Sequence, residues 1–304
     1  MTRLFLVTGF LGAGKTTFLR NLVALYPEQS KALIINEFGA AGVDGAILSD
    51  LGVALTEIDN GSIFCACRLE QFEAAILAAL RRKPGLIFVE ASGLSDPTAI
   101  RGILGRREKF ADLSYAGSIC LADAARFEKV YGSALVSRMQ LAVSDLVLIN
   151  KCDLASREQI DAIRAAAEAQ KPGRPVFETT FGAVRPEWLD AMERPVPDDR
   201  APGIRTRDVT LQRLTVAADG FSLGDFTSFL QMFAADAYRV KGVALLREGP
   251  YLADCVGPIV AVRPWTGVRP EAGRLNVLFG NGLPARKSVA RAIGSFPQYG
   301  AKIV

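Results

Sequence analysis

The sequence predicts an α/β fold, in which a doubly wound, mostly parallel sheet is followed by a smaller C-terminal α+β domain. Three observations carry this prediction. Short apolar runs alternate with stretches of helical periodicity through the first two-thirds of the chain, as in βαβ units. A glycine-rich turn separates the first apolar run from the first helical stretch. Near residues 194–203, prolines and charged residues interrupt the pattern, which is typical of a linker.

This interruption divides the chain of 304 residues into three parts. We expect a first domain over residues 1–193, a linker over 194–206 and a second domain over 207–304. Of all residues, 50% are hydrophobic. This is enough apolar surface for sizeable cores, and it argues against extensive disorder.

In the first domain, continuous apolar runs predict strands that are buried on both faces, as in parallel sheets. Between these runs, apolar residues recur at helical spacing over 17–23 and 68–82. The runs that predict strands are 4–7, 32–35, 86–89, 118–121, 146–149 and 175–177.

The second domain has a different pattern. Residues 209–216 alternate between apolar and polar side chains, which predicts an antiparallel strand. A helix is predicted to follow, with Ser222 as its N-cap. At helical spacing, Phe226, Phe229 and Phe233 share one face of this helix, and we expect that face to lie in the core. Several further strand-like runs complete the α+β prediction.

The composition excludes several classes of protein. The net charge is +4 without a dense basic run, so no nucleic-acid partner is expected. No stretch approaches the roughly 18 apolar residues of a membrane span, so no membrane segment is expected. Five cysteines with irregular spacing are typical of free thiols in the reducing cytoplasm. Three of them are expected to be packing residues: Cys120, Cys152 and Cys255.

The chain contains no histidine. This excludes Ser-His-Asp catalysis, zinc sites of the H-E-x-x-H kind and the common histidine general base. Any metal ion must therefore be bound by thiolates, carboxylates, hydroxyls or backbone oxygens.

The glycine-rich turn matches the phosphate-loop pattern G-x-x-x-x-G-K-[ST] without a mismatch. In this pattern, glycines let backbone N–H groups surround phosphate oxygens, and the next helix adds its positive N-terminus. Lys15 is expected to reach the β- and γ-phosphates, and Thr16 to bind Mg²⁺ through its hydroxyl. The residues predicted to surround the phosphates are Gly9, Gly12, Ala13, Gly14, Lys15, Thr16 and Thr17.

A second motif, N-K-x-D, follows the run 146–149. The carboxylate of Asp153 can accept hydrogen bonds from the N1–H and 2-amino groups of guanine, which adenine does not present in that arrangement. Asn150 and Lys151 are expected to hold the neighbouring loops and to cover the base. The sequence therefore predicts that GTP and GDP are selected over adenine nucleotides. This motif also disfavours a small-molecule kinase built on the same loop.

A third motif, Glu90-Ala91-Ser92-Gly93, follows the run 86–89. A carboxylate at the end of a buried strand near a phosphate loop commonly supports Mg²⁺, so Glu90 is assigned to that ion. Gly93 would let the backbone approach the γ-phosphate. Asp44 lies where a switch loop is expected, where it would contact Mg²⁺ or the attacking water, or form a local Asx-turn.

With these three motifs in order, the chain resembles the CobW family of phosphate-loop GTPases, relatives of the nickel chaperones of hydrogenase and urease assembly. The resemblance implies a cytoplasmic GTPase that helps to deliver metals or to assemble metal cofactors in a client protein. It also implies that Thr179-Thr180-Phe181-Gly182 is the last loop contacting the base, although an ordinary strand-to-helix turn is the competing interpretation. The resemblance rests on residues 9–17, 36–39, 60–61, 90–97, 150–154 and 239–242.

The chain departs from the family in the cysteine motif N-G-C-x-C-C. Aligned without gaps, Ser62 and Phe64 replace two of the expected cysteines. With a short insertion, Cys65 and Cys67 match instead, and Glu37 could join them as ligands of Zn²⁺, Co²⁺ or Ni²⁺. Two ordinary thiols with no metal are the competing interpretation.

Catalysis is expected to be mainly electrostatic, because Lys15, Mg²⁺ and backbone N–H groups can stabilise charge on the departing phosphate. No sequence feature identifies a general base. Hydrolysis is therefore expected to be slow unless a homodimer or a client completes the site. Two functions remain open: a metallochaperone that carries a metal ion, and a GTPase that gates a cofactor-dependent client enzyme without binding a transition metal.

Overall fold

The structure, a computed structural model, describes residues 1–37, 53–59, 69–105, 109–192 and 211–304. The chain divides into two compact units, Met1–Asp208 and Val209–Val304. The predicted linker over 194–206 lies outside the described residues.

The first unit is built on a seven-stranded sheet in which every strand pairing is parallel. The strand order across the sheet is β3-β2-β4-β1-β5-β6-β7. The strands are β1 Thr2–Gly9, β2 Lys31–Glu37, β3 Ala54–Asp59, β4 Leu86–Glu90, β5 Leu113–Asp123, β6 Leu146–Asn150 and β7 Val176–Glu178. The six runs that predicted strands all lie within or overlap these strands, and the predicted α/β fold is confirmed.

Helices cover both faces of this sheet. Neighbouring residues of a strand point to opposite faces, so each strand contributes side chains to both cores. Leu4 and Leu6 of β1 pack in the core on one face, and Phe5 and Val7 pack in the core on the other. All four side chains are fully buried. The helices are α1 Lys15–Ala24, α2 Leu69–Leu80, α3 Ile100–Leu104, α4 Phe127–Ser133, α5 Leu135–Val143, α6 Arg157–Gln170 and α7 Pro186–Asp190.

A buried arginine ties α5 to α6. Arg174 donates to the carbonyl oxygens of Leu141 and Ala167 and, at 2.8 Å, to the hydroxyl of Ser144. These acceptors lie in the last turn of each helix or just beyond it. Burial lowers the pKa of the Arg174 guanidinium. The contact fixes α5 beside the sheet.

The second unit is a six-stranded antiparallel sheet with the order β11-β10-β9-β12-β8-β13. The Ser222 hydroxyl accepts from the backbone N–H of Asp225 at 3.2 Å, which confirms the predicted N-cap. The elements are β8 Leu211–Ala217, α8 Leu223–Ala234, β9 Arg239–Leu246, β10 Gly249–Val256, β11 Val262–Pro264, β12 Arg274–Gly280, α9 Ala285–Ser295 and β13 Lys302–Ile303.

The core of the second unit lies between this sheet and its helices. Phe226, Phe229 and Phe233 are fully buried there, as their shared helical face predicted. Across the described parts of both units, the helices are too short or too polar to cross a bilayer.

Candidate functional site

The candidate site begins where β1 ends and α1 starts, at a turn over residues 9–14, here called the glycine turn. Gly9, Gly12 and Gly14 have φ values of 138°, 76° and 94°, which side chains other than hydrogen rarely tolerate. A Cβ atom on Gly14 would lie only 2.5 Å from Nδ2 of Asn150. The glycines of the motif are therefore required by backbone conformation and by close packing.

Lys15, the first residue of α1, turns back over the glycine turn. Its Nζ donates to the carbonyl oxygen of Phe10 at 3.3 Å, and the residue is buried. The first N–H groups of any helix lack intrahelical acceptors and carry partial positive charge. The ammonium group and the N-terminus of α1 thus concentrate positive charge at the turn, which suits a polyphosphate.

Thr16 and Glu90 lie together although they are far apart in sequence. Glu90 ends β4, the neighbour of β1, and it is buried. The Thr16 hydroxyl donates to its Oε1 at 3.4 Å. A hydroxyl beside a carboxylate is the kind of oxygen donor set that Mg²⁺ prefers. The structure thus brings together the two residues that the sequence assigned to Mg²⁺, and the assignment itself stays a prediction.

Gly93 lies in residues 91–95, which follow β4 and are here called the Gly93 loop. A Cβ on Gly93 would lie 2.6 Å from the backbone nitrogen of Leu11 and 2.9 Å from its Cα. The Gly93 loop therefore rests directly on the backbone of the glycine turn. This contact was not predicted from the sequence, which indicated only that a phosphate would approach Gly93.

Asn150, the last residue of β6, joins the glycine turn to the loop that follows β7. Its Nδ2 donates to the carbonyl oxygen of Ala13 at 2.8 Å, and its Oδ1 accepts from the backbone N–H of Gly182 at 3.0 Å. Only 2% of Asn150 is exposed. On the other side of this loop, Asn21 of α1 donates to the carbonyl oxygens of Phe181 and Gly182.

The next residues of the N-K-x-D motif turn towards solvent. Lys151 has a left-handed backbone with φ at 64°, and its Nζ forms an ion pair with Asp123 at 2.7 Å. Asp153 lies in a single 3₁₀ turn, Cys152–Leu154, and is exposed. The carboxylate is thus open to a ligand. Asp123, at the end of β5, has a role that the sequence did not reveal, because it holds the lysine in place.

Phe181 lies in the loop after β7. Its ring is 78% exposed, and its φ is 50°. The expectation that residues 179–182 contact a base stays a prediction.

The predicted transition-metal residues fall largely outside the described part of the chain. Cys65, Cys67 and Asp44 lie outside the described residues, as does the side chain of Glu37, whose backbone ends β2. In the residues that the structure describes, no three cysteine or acidic side chains form a cluster that could hold a metal ion.

The cysteines that the structure describes pack as expected. Cys120 and Cys255 are buried, and Cys152 is partly buried with its Sγ near the carbonyl oxygen of Ile149. Burial raises the pKa of the Cys120 thiol to about 12 and that of Cys255 to about 11. Metals bind the thiolate form, so these two thiols are poor ligands at neutral pH.

Sequence reasoning missed Asn21 and Gln140, two polar residues that hold loops of the site. The only signal for Gln140 was a polar side chain between two apolar residues of a helix, and Asn21, which follows Arg20, gave no such signal. Gln140 is 1% exposed and lies in α5.

Comparisons with known proteins agree with this geometry. The family model of the CobW/HypB/UreG nucleotide-binding domain matches residues 3–178. The chain is similar to zinc chaperone YeiR of Escherichia coli (strain K12), with 32% identity over 197 residues, covering 64% of this chain and 60% of that protein. Zinc chaperone CobW of Sinorhizobium sp is 29% identical over 201 residues, covering 56% of each chain. Zinc chaperone YjiA of Escherichia coli (strain K12) is 30% identical over 187 residues, covering 59% of this chain and 58% of that protein. The chain thus spans less than two-thirds of the length of these relatives.

Proposed function

The chain belongs to the CobW/HypB/UreG family, and from this premise we propose that it is a Mg²⁺-dependent GTP hydrolase. We propose that it acts as a chaperone or switch in the delivery of a metal ion or metallocofactor to a client protein. One observation carries the nucleotide part of this proposal. Asn150 of the N-K-x-D motif donates to the backbone of the glycine turn, which supports one site for both the guanine base and the phosphates.

The phosphates would bind at the glycine turn and at the N-terminus of α1, with Lys15 reaching the β- and γ-phosphates. Asp153 would accept hydrogen bonds from the N1–H and 2-amino groups of guanine. An adenine nucleotide would leave that carboxylate without its donors, which costs binding energy. The ion pair with Asp123 supports this assignment, because it fixes the side chain of Lys151 in the motif that also contains Asp153.

Thr16 and Glu90 are the residues that would hold Mg²⁺. When bound, that ion supplies positive charge next to the phosphate oxygens. Lys15 and the backbone N–H groups of the glycine turn would stabilise the charge that develops as the terminal phosphate departs. Asp44 is proposed to contact Mg²⁺ or the attacking water. Because no general base is assigned, we expect slow hydrolysis that a client or a homodimer accelerates.

The names of the relatives support a metal as cargo, since three of them are zinc chaperones. The proposed ligands are Glu37, Cys65 and Cys67, with Zn²⁺ preferred over Co²⁺ or Ni²⁺. The second candidate is a GTPase that gates its client without carrying a metal. It is favoured by the residues Ser62 and Phe64, which stand where the family pattern has cysteines. Both candidates are proposed to act in the cytoplasm.

Removing the lysine of the phosphate-loop pattern tests the hydrolase. We expect Lys15→Ala to abolish the release of phosphate from GTP, because the main positive side chain at the β- and γ-phosphates is lost. Lys287→Ala, an exposed lysine on α9 in the second unit, is the matched control and should retain full turnover. Normal turnover in folded Lys15→Ala would refute the site.

Metal titration separates the two candidate functions. Tight stoichiometric Zn²⁺ binding that disappears in Cys65→Ser and Cys67→Ser, but persists in Cys255→Ala, supports cargo carriage. The Cys255 thiol is a suitable control because it is fully buried and remains protonated at neutral pH. If the wild-type protein binds no Zn²⁺ with or without GTP, the gating function replaces the metallochaperone.

A further inference from the structure

Gln140 of α5 holds the Gly93 loop through two hydrogen bonds. Its Nε2 donates to the carbonyl oxygens of Gly93 and Ser95, each at 3.1 Å. The side chain is buried, with 1% of the residue exposed. Both N–H groups of the amide are therefore used on one short loop, and bonds of this kind are costly to lose because the carbonyls would stay buried.

A second buried amide, that of Asn36, also binds this loop. Asn36 of β2 accepts at Oδ1 from the hydroxyl of Ser95 at 3.2 Å and from the backbone N–H of Ser92 at 3.4 Å. Its Nδ2 donates to the carbonyl oxygen of Ile58 in β3 at 3.1 Å. Two strands of the sheet and α5 thus set the position of the Gly93 loop together.

The Gly93 loop also contacts the glycine turn, through Gly93 and Leu11. Beside this contact lies a small pocket of ≈ 20 Å³, lined among others by Phe10 and Leu11 of the turn and by Gln140 and Leu141 of α5. The pocket leaves space between the turn and this part of α5. The Gly93 loop and Gln140 bridge that space, so a displacement of the turn can reach α5 through Gln140.

The oxygen of the Gln140 amide is a different case from its nitrogen. Its Oε1 is buried and has no hydrogen-bond partner among the residues that the structure describes. A buried acceptor without a donor is uncommon and carries an energetic cost.

We propose that Gln140 is a positioning residue that sets the Gly93 loop against the glycine turn and so makes turnover sensitive to the terminal phosphate of the nucleotide. The inference rests on the proposed GTP hydrolase. A diphosphate needs only the glycine turn and the base site, whereas the hydrogen bonds of Gln140 go to the Gly93 loop. A triphosphate also needs the Gly93 loop, because this loop directly follows Glu90, the proposed ligand of Mg²⁺.

Gln140→Met tests this inference, since methionine has a similar volume but no N–H group. We expect kcat for GTP to fall by about tenfold or more, because small misplacements of a catalytic loop have effects of this size. The Kd for GDP should stay within about twofold of wild type. A kcat within twofold of wild type would overturn the inference, as would a parallel loss of GDP and GTP binding, which indicates only damaged packing.

Ser137→Ala is the matched control, because Ser137 lies one turn earlier on α5 and lines the same pocket. It should leave kcat and the Kd for GDP unchanged. A wild-type protein that does not hydrolyse GTP would refute the proposed function itself. Normal wild-type turnover with an unchanged Gln140→Met variant would refute only the role of Gln140.

Gln140→Glu keeps the inference testable if the methionine variant does not fold. A carboxylate can only accept, so it would repel the carbonyls of Gly93 and Ser95, whereas the protonated acid regains one donor. Relative to wild type, kcat of this variant should rise as the pH falls from about 8 to 6. A ratio that does not change with pH would contradict the role of Gln140 as a donor.

Discussion

Adding one methyl group to Gly93 should impair turnover more than stability. In Gly93→Ala, the new Cβ would meet the backbone nitrogen of Leu11 at 2.6 Å, its Cδ2 at 2.8 Å and its Cα at 2.9 Å. Rotation of the Leu11 side chain can relieve only one of these contacts. The other two lie on the backbone, so the Gly93 loop and the glycine turn must move apart.

The size of this movement follows from the contact distances. The shortest contact, 2.6 Å, falls about 0.8 Å short of the 3.4 Å at which ordinary contact begins. Overpacking of this kind typically costs about 1–3 kcal/mol of folding free energy. A misplacement of about 1 Å near reacting groups can cost roughly a hundredfold in rate. We therefore expect kcat for GTP to fall by about 10- to 100-fold in a protein that remains folded.

The assay is steady-state release of phosphate from GTP, with urea unfolding to measure stability. Gly102→Ala is the matched control, because Gly102 lies in α3 and a Cβ there has no neighbour within 4 Å. Alanine favours a helix over glycine by about 0.5–1 kcal/mol, so the control should be at least as stable as wild type and equally active. If Gly93→Ala is folded and its kcat lies within twofold of wild type, the close contact with Leu11 does not govern the site.

Two further predictions concern Asn150 and Cys120. Asn150→Asp keeps an acceptor for Gly182 but places a carboxylate against the carbonyl of Ala13, so the affinity for GDP should fall by about tenfold or more, equivalent to about 1.4 kcal/mol; calorimetry that shows wild-type affinity would contradict this. Burial raises the pKa of the Cys120 thiol from 9.0 to about 12, so the folded state holds this proton more tightly than the unfolded state. The resulting stability is complete below pH 9 and is lost as the pH rises from about 9 towards 12, by up to about 1.4 kcal/mol per pH unit. Between pH 8 and pH 10, the free energy of unfolding should therefore fall less in Cys120→Ala than in the wild-type protein. An equal fall in both proteins would refute the raised pKa of Cys120.

The strands that can be predicted from sequence are those buried on both faces. Residues 4–7 in β1 and 86–89 in β4 are continuous apolar runs because helices cover the sheet on each side. β3 was not predicted. It lies at the edge of the sheet, pairs with β2 alone and carries polar residues such as Thr56, so its pattern is weaker. An edge position depends on tertiary contacts that a local pattern does not record.

The site follows the same division between local and distant information. Residues of contiguous motifs, such as Lys15, Thr16 and Asp153, were assigned because their chemistry and spacing are visible in the sequence. Contacts between motifs, such as Gly93 against Leu11, depend on which strands are neighbours. The same holds for Gln140, whose partners lie 45 and 47 residues away. No motif contains it.

The glycine turn shows why a phosphate-loop pattern can leave its middle positions unspecified. Lys15 reaches the carbonyl of Phe10, Gly93 rests on the nitrogen and Cα of Leu11, and Asn150 donates to the carbonyl of Ala13. Each of these supports acts on backbone atoms, so they require no particular side chain at 10, 11 or 13. The side chains of Phe10, Leu11 and Ala13 are themselves buried, so they add apolar packing to the turn. Substitutions of Gly93 and Asn150, which contact the backbone of the turn from other parts of the chain, are therefore expected to disturb nucleotide binding.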